Sequence, residues 1–310
     1  WMETTLSDGN EVALSPLPMY HIFAFTVNCL ALTALGAKTV LVTNAKDIPS
    51  VIKEFDKNRI TVFSGLNTLF NAMLNNPDFA AKDFSGLKVT VAGGMALQKA
   101  VAERWESVTG CRISEGYGMT ESSPVLTVNI LGKNARLGYI GMPVSSTDVK
   151  IVDDNGVEVP LGTPGELIAK GPQIMKGYYN KPEETAKTVK DGWLYTGDIA
   201  IMEADGYFKI VDRKKDMILV SGFNVYPNEI EDVLVTHPKI LEAAAIGIQD
   251  DKSGESVKVF IVKRDPSLTE DEVYAFSREN LTGYKVPKAV EFRTELPKTN
   301  VGKILRRELR

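Results

Sequence analysis

An α/β region, a small β-barrel-like antiparallel subdomain and a separate α+β carboxyl-terminal domain are predicted from three observations. Across residues 38–116 short apolar runs alternate with segments of helical period, beyond Pro124 short strands and turns take over, and past Lys215 capped helices and strands resume. Alternation of the first kind predicts a parallel sheet covered by helices, and closely spaced strands with turn signals predict antiparallel pairing. The corresponding boundaries are 1–125, 126–211 and 212–310.

Length and composition fit this plan. A chain of 310 residues can bury a large core and form more than one domain, and 44% hydrophobic with 25% charged residues is the balance of a globular protein. The net charge of −4 argues against a nucleic-acid partner, whose phosphates favour a concentrated basic surface. Cys29 and Cys111 lack the paired spacing of a disulfide framework or a zinc site, and His21 and His237 are too few for a metal cluster. No leader sequence is read at the amino end. The apolar stretch 22–35, interrupted by Asn28, is short for a bilayer, so a buried helix and a cytoplasmic compartment are expected.

Residues 1–11 are polar and read as a loop cut from something larger. Residues 13–21 give a short apolar strand that Pro16 and Pro18 end, delivering Tyr20 and His21 to a helix start. Strands are expected at 39–42, 61–64, 87–92 and 112–114, while Leu97, Val101, Trp105 and Val108 recur at helical spacing in a segment that ends near Gly110. In such sheets ligands gather beyond the carboxyl ends of the strands, and two loops fall there. The first holds Gly93, Gly94 and Met95, where glycine lets the backbone approach a flat ligand closely. The second runs Gly116, Tyr117, Gly118, Met119, Thr120, Glu121. Tyr117 suits stacking on a purine, Thr120 donation to a phosphate oxygen and Glu121 a magnesium ion, unless the segment is only a tight turn with a solvated acid.

After Pro124, residues 149–152 and 157–160 flank the hairpin signal Asp153-Asp154-Asn155-Gly156, and 165–171 is another strand between glycines. Asp198 follows Thr196-Gly197, and a carboxylate there can accept both hydroxyls of a ribose. A basic knot, Arg213, Lys214 and Lys215, leads to Ser221, Gly222 and Phe223 and then to a helix that Asn228 with Glu231 is expected to cap. Strands at 243–248 and 257–262 and a second capping pair, Thr269 with Glu272, follow. Lys303 sits on a glycine-preceded loop, and Arg306, Arg307 and Arg310 read as a solvated helix end or a weak phosphate patch. Each polar feature by itself is equally compatible with an ordinary turn or surface.

Taken together, TGD at 196–198, DRKKD at 212–216 and SGFNVYPNEIE at 221–231 resemble, in order and spacing, the adenylate-forming superfamily of acyl-CoA synthetases, luciferases and peptide-synthetase adenylation domains. The wording is closest to bacterial long-chain fatty-acid CoA ligases, and the resemblance extends from about residue 12 to 310. It implies nucleotide contacts from Gly93, Gly94, Met95, Gly116, Tyr117, Gly118 and Thr120, with Tyr117 on the adenine. Asp198 would hold the ribose and Arg213 the ribose and phosphate. Glu121 is implied as the Mg2+ ligand, Lys303 as the catalytic lysine acting with Thr120 and Glu121, and Lys215 as the hinge between domains. Ser221, Gly222 and Phe223 are implied for CoA, His21 and Phe25 for the wall of the acyl pocket, and residues 177–179 for a structural turn. Asp212 and Lys214 are expected to be exposed neighbours of these groups.

The implied activity joins a long-chain fatty acid to ATP through acyl-AMP, releasing pyrophosphate, and then passes the acyl group to CoA. Because Lys303 and the Gly222 loop lie on one small domain, a swing about Lys215 is expected to present them in turn. The family's Ser/Thr/Gly-rich phosphate loop has no counterpart in residues 1–37, so the chain is expected to be the carboxyl-terminal portion of a ligase that cannot complete adenylation by itself. Two other readings stay open: an adenylating domain that hands its acyl group to a carrier protein, and a non-catalytic nucleotide or acyl binder. A homodimer and a peripheral contact with the inner membrane are compatible with all three.

Overall fold

The computed structural model describes Met2 and residues 5–310, and these divide into two compact units. The first runs to Thr196 and takes in Ile201–Ile210; the second holds Gly197–Ala200 and Val211–Arg310.

In the first unit, seven strands form one sheet: β1 (Val12–Ser15), β2 (Lys38–Leu41), β3 (Val62–Gly65), β4 (Val89–Ala92), β5 (Ile113–Gly118), β6 (Val125–Val128) and β7 (Met142–Pro143), in the order β2-β1-β3-β4-β5-β6-β7. The first five pair in parallel and the last two antiparallel. All four residues of β3 and of β4 are buried, which is why both are mainly apolar with no polar alternation, Ser64 and Thr90 being buried with the rest; a parallel strand covered on both faces has no solvent side to mark.

The crossovers are helical. α1 (Ile22–Ala24), a π-helical stretch Phe25–Ala31 and α2 (Leu32–Ala34) join β1 to β2. The expected buried helix is therefore present but not buried all round, since Phe25 and Leu30 stand 42% and 51% exposed on its outer side. α3 (Ile48–Lys57) starts where the Asp47 carboxylate accepts from the Ser50 N–H with a proline in the first turn, and turns Val51, Ile52 and Phe55 inward. α4 (Asn67–Leu74) and α5 (Lys99–Thr109) follow, the latter closed by Gly110 at φ +70°. Their buried faces meet the sheet around Trp105, which stacks on Phe63 at a centroid distance of 5.5 Å and donates its indole N–H to Thr90 Oγ1 at 3.2 Å.

The second sheet comprises β8 (Asp148–Val152), β9 (Gly165–Lys170), β10 (Val189–Lys190), β11 (Trp193–Met202) and β12 (Phe208–Arg213), in the order β10-β11-β9-β8 with β12 on β11; the division between units passes through β11 and β12. The strand expected at 157–160 is reduced to a single bridge, Val152 to Glu158, because Pro160 brings no N–H to extend the ladder. A short helix, α6 (Pro182–Thr188), precedes β10.

The second unit carries a third sheet: β13 (Ile218–Val220), β14 (Phe223–Val225), β15 (Ile240–Asp250), β16 (Gly254–Lys263) and β17 (Ala289–Arg293), ordered β14-β13-β16-β15 with β17 parallel to β16. It packs on α7 (Pro227–Leu234) and α8 (Glu270–Asn280) through Val225, Ile230, Leu234, Val259, Ile261 and Val273. The capping pair at α8 forms in both directions, Glu272 N–H to Thr269 Oγ1 at 3.2 Å and Thr269 N–H to Glu272 Oε2 at 2.9 Å. At α7 the expected cap does not form. Asn228 lies inside the first turn, and its N–H donates to the Asp212 carboxylate at 2.8 Å, so the cap comes from sixteen residues upstream. Among the described residues, no helix is long and apolar enough to cross a membrane.

Candidate functional site

Within the first unit, the sheet brings the expected acyl and nucleotide residues to neighbouring positions. His21 caps α1, its Nδ1 accepting the Phe23 N–H at 3.3 Å, and Phe25 stands one turn on with its ring 42% exposed. The turn after β4 lies beside them: a Cβ at Gly93 would meet the Phe23 ring and Gly116 O at 3.4 Å, and one at Gly94, whose φ is +79°, would meet Leu66 at 3.4 Å and His21 Cε1 at 3.9 Å. Met95 is partly buried against the main core.

The segment expected as a loop after β5 is strand for its first three residues. Gly116 and Tyr117 pair with Val128 and Thr127, with an irregularity before Gly118. A Cβ at Gly118 would fall 1.7 Å from Pro124 O, so only glycine lets β5 turn back against the following strand. The chain then tightens into a 3-10 turn, Thr120–Ser122, held by Met119 N–H to Pro124 O at 3.0 Å. Thr120 is exposed and Glu121 half-buried. Two bonds reach this turn from the segment before α6. Met175 N–H donates to Glu121 O at 2.8 Å, and the Tyr178 hydroxyl donates to Glu121 Oε1 at 2.7 Å. Burial, aided by the neighbouring Glu121 carboxylate, pushes the Tyr178 phenol above its ordinary range, so it remains a donor.

Glu121 and Thr120 offer hard oxygen donors of the kind magnesium prefers. Among the described residues no group of three or more His, Cys, Asp or Glu could hold a metal by itself. The donor set thus fits an ion that takes most of its oxygens from phosphate and water, and does not fit an all-protein cage.

In the second unit, Asp198 on β11 is 14% exposed at its side chain and lies 3.7 Å from Arg213 Nε at the end of β12. Lys303 crowns a small hairpin: Lys298 and Ile304 form a bridge, Thr299 N–H donates to Lys303 O at 2.8 Å, Lys303 N–H to Thr299 Oγ1 at 3.1 Å, and Gly302 takes φ +86°. Burial lowers the Lys303 ammonium to about 8; the nearby Arg213 lowers it further and Asp198 acts the other way. Lys303, Arg213 and Asp198 are therefore electrostatic neighbours, though 105 residues separate the outer two in sequence.

Two expectations about this region are corrected. Arg306 is not a solvated helix end: its side chain is 13% exposed, with Nη2 donating to Glu231 Oε2 at 2.7 Å and to Asn228 Oδ1 at 2.9 Å. Arg310 donates to Asp216 Oδ1 at 2.9 Å and to Lys215 O at 3.4 Å. Asp212 is not an exposed neighbour either. It is 1% exposed, and burial raises its carboxyl to about 6 although Arg306 and two backbone N–H groups favour the ionised form. Lys214 and Lys215 are exposed on the turn Lys214–Asp216. Ser221 and Gly222, at φ +50° and +85°, make a two-residue hairpin between β13 and β14, and the Phe223 ring, 55% exposed, stacks on Tyr284 at 4.7 Å. Tyr178, Arg306 and Tyr284 escape a sequence reading because their partners lie 57, 75 and 61 residues away.

The model for the AMP-binding enzyme family matches residues 1–179, and that for the AMP-binding enzyme carboxyl-terminal domain matches residues 229–303. Long-chain-fatty-acid–CoA ligases of Yersinia pestis and Escherichia coli are 58% and 57% identical over 98% of this chain and 54% of their own length. The chain thus spans about half the length of the curated relatives it matches. Among solved structures, the anthranilate CoA ligase AuaEII in complex with anthranoyl-AMP superposes with a TM-score of 0.92 at 30% identity, over 100% of this chain and 61% of that one. By the family match and by this fold, the chain belongs to the AMP-binding, adenylate-forming enzymes.

Proposed function

We propose that this chain works in an ATP-dependent, AMP-forming long-chain fatty-acid CoA ligase. The observation that carries the reading is the grouping of Lys303, Arg213 and Asp198, with an ammonium lowered by burial yet still largely charged near neutral pH. The two ligases named above support the choice of acid.

A carboxylic acid acylates poorly because its leaving group would be oxide or hydroxide, and joining it to AMP removes that obstacle. In the first half-reaction a carboxylate oxygen bonds to the α-phosphorus of ATP, the bond to the bridging oxygen of pyrophosphate breaks, and acyl-AMP remains. Asp198 accepts the ribose hydroxyls, Arg213 contacts ribose and phosphate, and the Lys303 ammonium stabilises charge on the phosphate oxygens. Tyr117 takes the adenine face, the backbone of Gly93, Gly94, Met95, Gly116 and Gly118 lies along the nucleotide, and the exposed Thr120 hydroxyl donates to phosphate. Glu121 would hold Mg2+, which when bound supplies positive charge against the phosphates. His21 and Phe25 line the acyl chain. In the second half-reaction the CoA sulfur, losing its proton, bonds to the acyl carbonyl carbon and AMP leaves; the exposed Ser221, Gly222 and Phe223 receive the pantetheine arm. Lys215 is the hinge in this reading, and peripheral contact with the membrane gives access to an apolar substrate.

The test uses this chain completed at its amino end with the remainder of the Yersinia pestis relative. Supplied with oleate, ATP, Mg2+ and CoA, it should form AMP and oleoyl-CoA in equal amounts. AMP without CoA thioester, or thioester only on a carrier-protein thiol, would refute the reading.

A further inference from the structure

Glu121 is addressed twice by one neighbouring segment, once through its backbone and once through its side chain. Met175 N–H donates to Glu121 O at 2.8 Å, which ties the Thr120–Ser122 turn to residues 175–178. The turn is closed on its other side by Met119 N–H to Pro124 O at 3.0 Å. Those bonds fix the main chain without any help from Tyr178. The Tyr178 hydroxyl adds a bond of 2.7 Å to Glu121 Oε1, and what that bond fixes is the carboxylate.

Tyr178 is itself prepared for this. Its N–H donates to Thr185 Oγ1 at 2.9 Å, and the same hydroxyl donates to Lys181 O at 2.9 Å, anchoring the residue to the start of α6. A Cβ at Gly177 would come 2.7 Å from the Thr185 methyl, so glycine is what allows the approach. A phenol donates a single hydrogen, so it can engage one carboxylate oxygen and leave the lone pairs of the other for a ligand. A short hydroxyl–carboxylate bond is among the stronger neutral-to-charged contacts available, and partners of metal-binding carboxylates typically set their orientation.

We propose that Tyr178 is a positioning residue for acyl adenylation: its hydroxyl fixes Glu121 so that the second carboxylate oxygen is presented to nucleotide-borne Mg2+. The inference rests on the ligase reading above and specifies one of its parts. Tyr178→Phe removes only the hydroxyl, and the thioester-forming step should not depend on it.

The experiment measures binding of α,β-methylene-ATP, which cannot be adenylated onto an acid, to the completed chain across a series of Mg2+ concentrations. Tyr178→Phe should raise the Mg2+ needed for half-maximal binding about 10-fold, with affinity at saturating Mg2+ kept within about 2-fold. In a Glu121→Gln background the same substitution should change nothing further. An unshifted Mg2+ requirement, a loss of affinity that Mg2+ does not restore, or an undiminished effect in the Glu121→Gln background would each overturn the role. A completed wild-type chain that makes no oleoyl-AMP overturns the ligase reading instead, and the binding series separates the two failures.

Discussion

The turn that carries Thr120 and Glu121 and the hairpin that carries Lys303 are both short and polar, yet they are anchored by different physics. In the first unit the anchors are hydrogen bonds to the backbone and one phenol: Met119 to Pro124, Met175 to Glu121, Tyr178 to Glu121. In the second, the chain leaving the hairpin runs into a buried ion network in which Arg306 meets Glu231 and Asn228, and Asp216 lies between Arg306 and Arg310. A backbone bond contributes on the order of 1 kcal/mol and is indifferent to pH. An ion network instead sets each member's desolvation against its partners, so losing one member leaves a bare buried charge. The first arrangement should tolerate substitution and the second should not.

The largest expected effect concerns the residue that the network supports. Lys303→Ala in the completed chain should slow acyl-AMP formation about 100- to 1,000-fold while thioester formation from supplied acyl-AMP falls only slightly. Equal loss in the two half-reactions, measured separately by pyrophosphate release and CoA thioester, would remove Lys303 from the adenylation step. The ammonium also titrates: as pH rises through about 8 it loses its proton, and adenylation should fall with it.

Next comes the brittleness itself. Arg306→Ala strands the Glu231 carboxylate and should destabilise the second unit by about 3–5 kcal/mol in chemical denaturation. Tyr178→Phe should cost the first unit only about 1.5 kcal/mol, the low end for a bond to a charged group because the pair is half-buried. Comparable losses from the two substitutions would mean that the anchoring does not differ. Replacing both partners together, Arg306→Met with Glu231→Leu, should recover part of the loss, because the Glu231 carboxylate is no longer stranded, while the Ala245 N–H and the Asp212 carboxyl still lose a partner.

A pH series isolates one member of the network. The carboxyl of Asp212 sits at about 6 in the folded chain against an ordinary 3.8, chiefly through burial. Between these values the folded state keeps a proton that the unfolded state has released, so this residue's contribution is complete below about 4 and lost as pH rises through about 6. The loss is about 2–3 kcal/mol. Asp212→Asn should flatten that part of the stability curve relative to wild type, and parallel curves between pH 4 and 7 would show that the carboxyl is not perturbed.

What a sequence reading finds and misses follows the same division. Residues 62–65 and 89–92 are legible as strands because a parallel strand buried on both faces is mainly apolar and shows no alternating polar side, even with Ser64 and Thr90 in it. Gly116, Tyr117 and Gly118 were expected as a loop because glycine has little strand preference; their strand character comes from β6, across a contact where a Cβ would fall 1.7 Å from Pro124 O. Asn228 and Glu231 satisfy the local capping rule, but Asp212 caps α7 and Glu231 is committed to Arg306. Charge by itself reads as solvated, and only tertiary pairing distinguishes Arg306, buried against Glu231, from the exposed Lys215. The acids and bases of the candidate site are singled out in the sequence only through the motifs that resemble the family; the groups that hold them are not, since they sit far along the chain.

The smallest expected effect lies on the hairpin Ser221–Gly222, which is tied by the Ser221 N–H to Ser253 O at 2.8 Å and has no part in the ion network. Phe223 is 55% exposed and its ring stacks on Tyr284 at 4.7 Å and 17°. An exposed aromatic pair of this geometry contributes about 0.5–1.5 kcal/mol, so Phe223→Ala should lower stability by no more than that. Its consequence for function should be of a different kind. If the loop receives the pantetheine arm, KM for CoA should rise several-fold while oleate-dependent AMP formation in the absence of CoA is unchanged. A parallel loss of adenylation would mean that the ring supports the second unit as a whole, and an unchanged KM would place the CoA arm elsewhere.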